Sequence, residues 1–139
     1  MLSLVAAVLS AVAINGCGPT PTAPENGAPY STKDLQLGTG VDAVSGKLLT
    51  ANYTGWLYDS SKTDQKGLQF ETSVGGSALT FTLGAGQVIA GIEQGVTGMK
   101  VGGVRRIVIP SSLGYGATRN GPIPPFSTIV FEVELLDAQ

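Results

Sequence analysis

The chain has many serines and threonines but no histidine, and a hydroxyl becomes a nucleophile only with a base beside it. No two carboxylates stand at a spacing that would pair them as general acid and general base. A single cysteine, Cys17, and no imidazole leave no ligand set for zinc, so neither a metal nor another cofactor is expected. The remaining chemistry is that of an apolar, aromatic-lined site. Tyr53, Trp56, Phe70, Phe81, Tyr115, Phe126 and Phe131 come from separate segments, and a curved sheet packed on one helix could gather several of them. On residue types alone, the plainer reading of ordinary core and surface aromatics is the stronger one.

The elements that must position such a site are legible from periodicity. Leu49, Ala51, Tyr53, Gly55 and Leu57 alternate with Thr50, Asn52, Thr54 and Trp56, a period of two that predicts a strand over 48–57. Residues 59–67 break the pattern as a loop, and further strands are predicted over 68–70, 79–83, 104–109 and 128–136. Val88, Ile89, Ile92, Val96 and Met99 recur at helical spacing and predict one short amphipathic helix between Gly86 and Gly98, despite Gly91 and Gly95. About five strands and one helix imply an α+β fold: a curved antiparallel sheet wrapped on that helix.

With 139 residues the chain allows one domain and a surplus at its N-terminus. A net charge of -2, from 8 Lys+Arg and 10 Asp+Glu without a clustered basic face, argues against a nucleic-acid partner. The one basic pair, Arg105-Arg106, interrupts an apolar run and reads as one outward and one sheet-edge side chain. Residues 1–16 hold an apolar run too short to span a bilayer but of the length of a secretory signal, although no Lys or Arg precedes it. The run ends Ile14-Asn15-Gly16-Cys17, which resembles a bacterial lipobox and implies lipidation at Cys17. Residues 17–31 are Pro-rich and without apolar periodicity, a linker that as polyproline II could hold a domain up to roughly 40 Å from a membrane surface. The domain is then expected over 32–139, as a monomer in the cell envelope, touching the membrane only through the anchor and facing the periplasm or exterior. The alternative is a soluble protein with an inert cysteine.

Gly114-Tyr115-Gly116-Ala117, then Ile123-Pro124-Pro125 and the alternating run from Ser127 to Leu136, resemble the signature of the FKBP-type peptidyl-prolyl isomerases. Upstream, Tyr53-Thr54-Gly55, Phe70-Glu71-Thr72-Ser73, Phe81 to Gly84, Gln87 to Gly91, Glu93 to Val96 and Gly98 to Gly102 follow the family's order at close to its spacings. The resemblance runs from about Gly46 to Leu136. It implies a pocket for the proline ring of a peptide, with Tyr53, Phe70, Glu71, Tyr115 and Phe131 in the catalytic set and Val88, Ile89, Ile92 and Ile123 binding substrate. The Tyr115 hydroxyl and the Ile89 amide are the implied donors to substrate or ligand carbonyls, and macrolides are implied ligands.

Rotation about the bond before proline faces a barrier of ~18–20 kcal/mol that comes from amide resonance. Resonance places charge on oxygen, which water favours; a dry pocket therefore disfavours the planar amide relative to the twisted transition state, and no acid, base or metal is required. A chain without histidine can still be an enzyme of this kind. The sequence departs from the family at the pocket floor, Ile92 for Trp, and at Glu71 for Asp, whose usual Arg partner gives way to the Gly75-Gly76 pair, so that its charge should be less well compensated. Residues 118–124 form a loop about one residue shorter than usual, and Leu113 stands where an aromatic is frequent. The expected function is folding assistance to exported, proline-containing polypeptides; the alternative is a proline-segment-binding module or holdase with little turnover.

Overall fold

A computed structural model of the chain describes residues 27–139. The signal segment 1–16, Cys17 and the greater part of the linker lie outside the described residues. Among the described residues six strands, β1 (Ser31–Gln36), β2 (Leu48–Tyr58), β3 (Lys66–Thr72), β4 (Leu79–Thr82), β5 (Val104–Ile109) and β6 (Ile129–Ala138), surround one α-helix, α1 (Ala90–Val96). They form one antiparallel sheet in the order β1-β5-β6-β2-β3, with β4 also on β2. This is the expected α+β architecture with one strand more than periodicity shows.

The additional strand, β1, begins inside the stretch assigned to the linker. All six of its residues are exposed, so no apolar alternation marks it. It is held by main-chain pairing to β5 and by Asp34 Oδ1, which accepts from Arg105 Nε at 2.6 Å. Because β1 covers β5, neither arginine of the basic pair stands at a sheet edge. Arg105 also donates through Nη1 to the carbonyl oxygens of Gly95 and Thr97 at the end of α1, and Arg106 pairs with Glu132, which also takes Lys66 at 3.0 Å. Both side chains are thus structural ties.

β2 is long enough to be shared. Residues 48–51 pair with β4 and residues 54–58 with β3, so one edge of β2 forks. At the fork the Tyr53 amide donates to Ser73 Oγ at 2.9 Å, and Ser73 is buried there. On the inner face Leu49, Ala51, Phe131, Val133, Leu135, Ile107 and Ile109 form the core, onto which α1 lays Ile92 and Val96. The two helix glycines account for how closely α1 sits: a Cβ at Gly91 would lie 2.5 Å from Ile109 Cγ2, and one at Gly95 2.4 Å from Ile107 Cδ1. Glycine costs helix propensity of about 1 kcal/mol per residue, and here that cost is offset by contact between helix and strand.

Candidate functional site

Where the sheet curves around α1, a pocket of about 500 Å³ opens, within the range typical of small-ligand sites. β2 contributes Ala51 and Tyr53, β4 Leu79 and Phe81, and β6 Phe131 and Val133; these are inward residues of their strands. Glu71 comes from β3, Ile92 from α1, Gly86, Gln87, Val88 and Ile89 from the loop before α1, and Tyr115 from the loop after β5. Seven of the nine residues that the sequence nominates therefore meet: Tyr53, Glu71, Val88, Ile89, Ile92, Tyr115 and Phe131.

Phe70 and Ile123 stand around an adjoining hollow of about 260 Å³, which shares Glu71 with the pocket. Phe70 turns its ring edge-on to Phe131, at 5.6 Å and 88°, and Ile123 is buried, its backbone bridged to Asn120. The aromatic wall is made possible by Gly55, opposite both Phe131 and Glu71 in the sheet: a Cβ there would lie 2.7 Å from both the Phe131 and the Phe70 ring. Tyr53 completes the cluster at 5.9 Å from Phe131. Trp56 belongs elsewhere, with the Lys66 ammonium 4.5 Å from its ring centroid. Phe126 lines neither cavity.

The polar edge is small and specific. The Tyr53 hydroxyl donates to Glu71 Oε1 at 2.7 Å. Burial, then that bond and the carboxylate's charge, with a smaller effect of Tyr115, push the Tyr53 phenol up to about 12. Burial, then the charge of Glu71, also pushes Tyr115 up, against a hydrogen bond with Asn120 that lowers it. Both phenols are hence neutral at physiological pH and able to donate, as their ordinary values already favour. Among the described residues no lysine or arginine forms an ion pair with Glu71.

The loop before α1 is held by two side chains whose role the sequence does not announce. Glu93 Oε1 accepts from the Gly84 and Gly86 amides at 3.2 and 3.1 Å, and Gln87 Oε1 accepts from the Thr82 amide at 2.8 Å. The Ile89 carbonyl accepts from Ile92 and Glu93 to start the helix, while its own amide donates to no described residue. Ile92 is only 7% exposed, a core residue with one surface on the pocket, as a floor would be. Of the lining residues beyond those nine, Phe81 was already among the aromatics that the sheet could gather, and Val133 was available from strand alternation. Gln87 opens one of the motif blocks noted in the sequence, yet its tie is not announced there, because it depends on a main-chain partner in β4. Among the described residues no cluster of three metal-ligating side chains occurs, and no helix is long and apolar enough to cross a membrane.

The sequence profile of the FKBP-type peptidyl-prolyl cis-trans isomerases matches residues 40–136. An FK506-binding protein of Neisseria meningitidis serogroup A is 50% identical over 106 residues, 75% of this chain and 91% of that protein. Among solved structures, AtFKBP13 superposes with a TM-score of 0.67 at 33% identity, over 79% of this chain and 93% of the other. FkpA from Escherichia coli does so with a TM-score of 0.65 at 35% identity, over 79% of this chain but 48% of that longer one.

Proposed function

Since this chain belongs to the FKBP-type peptidyl-prolyl cis-trans isomerase family, we propose that its 500 Å³ pocket is where Xaa-Pro bonds rotate and that its substrates are exported polypeptides. The observation that carries this reading is the convergence of Tyr53, Ile89, Ile92, Tyr115 and Phe131 from five different segments on one apolar cavity. Phe131 and Ile92 pack the proline ring, Val88 and Ile89 close one side, and Phe70 and Ile123 buttress the other. The Ile89 amide, which donates to no described residue, and the neutral Tyr115 hydroxyl hold carbonyl oxygens of the bound peptide, which fixes the ring while the preceding bond turns.

Catalysis follows from exclusion of water. The twisted amide carries less charge on oxygen than the planar one, and an apolar wall therefore favours it. A million-fold acceleration needs only about 8 kcal/mol of that differential stabilisation. The names of the relatives support a macrolide of the FK506 type as an inhibitor of the same pocket. The lipobox-like run ending at Cys17 supports attachment to the cell envelope, with the domain on a Pro-rich tether. The test is the rate of cis-to-trans conversion of a short Xaa-Pro peptide, with and without macrolide. Acceleration abolished by the drug is the expected result. A folded protein that binds proline peptides without accelerating them belongs instead to the holdase reading.

A further inference from the structure

Among the described residues, Glu71 is the one charged side chain lining either the pocket or the hollow beside it. Among the described residues only its Oε1 is engaged, by the Tyr53 hydroxyl, and no cation pairs with it. Lys66, Lys100, Arg105 and Arg106 are committed to Glu132, Asp42, Asp34 and Glu132 respectively. Arg119, next to Asn120 in the loop, is exposed and lines neither cavity. The influence of the carboxylate reaches the pocket, since it raises both Tyr53 and Tyr115.

The hollow, at about 260 Å³, is lined by Phe70, Pro122 and Ile123 together with Asn120 and Gly121, with Glu71 at the boundary to the pocket, so that apolar patches sit within a polar rim. That combination suits one kind of side chain, an aliphatic stem ending in a cation, which lays its methylenes on apolar surface and keeps its head at the polar rim. Successive Cα atoms are about 3.8 Å apart, so a neighbour of a proline seated in the pocket reaches a wall that both cavities share. We propose that the hollow is a specificity subsite for a lysine or arginine adjacent to the substrate proline, with Glu71 as the residue that selects it. This rests on the isomerase reading above.

The experiment compares kcat/KM for two peptide series, one varying the residue before proline and one the residue after it, each with Lys, Leu and Glu. The lysine peptide should exceed the glutamate peptide by roughly two- to tenfold in one series, the scale of one partly exposed attraction plus one repulsion. The ratio should fall towards one in about 1 M salt, where charges are screened beyond roughly 3 Å. It should fall equally in Glu71→Gln, which keeps an Oε1 acceptor for Tyr53, and persist in Arg119→Gln. Equal rates for Lys and Glu in both series, or a preference that survives either high salt or Glu71→Gln, would overturn the proposal. The salt arm needs no variant to fold. A protein that accelerates none of the peptides, leucine included, refutes the isomerase reading itself, a result distinct from loss of charge preference.

Discussion

A phenol that is neutral, half-buried and aimed into a cavity can do one thing well, which is to donate. Tyr115 does not have the lowered value that would make it a base, so its contribution is a hydrogen bond that Tyr115→Phe deletes with the ring left in place. Folding should hardly change, and kcat/KM should fall by the worth of one neutral hydrogen bond, about 0.5–1.5 kcal/mol, in the peptide assay. Tyr53 differs because its hydroxyl already donates to Glu71, whereas the bond with Asn120 lowers the Tyr115 value, as an amide donating to the phenol oxygen does. Its folded value of about 12 lies above the ordinary 10.0, so the folded state holds the proton more tightly. The stability this brings is fully present below pH 10.0 and is lost as pH rises through about 12. Urea midpoints measured across that window should fall more gently in Tyr53→Phe than in the parent. Some slope should remain, since Tyr30 and Tyr115 are raised in the same direction.

At the scale of elements, α1 is the piece whose placement decides whether the pocket has a floor. Ile92 reaches the cavity because Gly91 and Gly95 let the helix approach β5. A Gly95→Ala substitution improves helix propensity, yet its methyl meets Ile107 at 2.4 Å. Overpacking of a filled core costs about 1–3 kcal/mol, so thermal denaturation should show net destabilisation. A stabilised Gly95→Ala would mean that α1 can lift off without penalty. What could be read in advance at this scale follows the same physics. β2, β4 and most of β6 announce themselves by alternation, down to Leu49, Ala51 and Phe131, and β5 by an apolar run buried at its end. β1 buries nothing and is built from main-chain bonds and the Asp34–Arg105 pair, so it could not be heard in a pattern of apolar residues. The site divides likewise: inward strand residues such as Tyr53 and Phe131 were within reach of motif and period. The displacement of Phe70 and Ile123 into a separate hollow depends on the path of the loop 118–124, which no period encodes.

For the molecule as a whole, the beginning of the folded unit matters most. The Tyr30 hydroxyl donates to the Gly91 carbonyl at 3.1 Å, and Ser31 is already paired with Val108. A tether must therefore end before these residues, and trimming through Gln36 should strip β5 of its neighbour and Arg105 of its ion pair. If the anchor reading holds, the native protein partitions with membranes and mass spectrometry finds a lipidated N-terminal Cys17, whereas Cys17→Ser is recovered unlipidated with isomerase activity intact. An unmodified Cys17 still joined to Gly16 would return the chain to the soluble class. The forked edge of β2 has a consequence for motion. β3 and β4 hold separate stretches of that strand, and at the gap between them Tyr53 is met by the side chains of Ser73 and Thr72. Hydrogen exchange should then separate two populations along one strand. Amides where β3 joins β2 open in small, frequent excursions that carry Glu71 outward, while those under β4 exchange only when the whole domain unfolds. The mouth could thus breathe to admit and release a chain as bulky as an unfolded protein, with the floor beneath it never leaving its place.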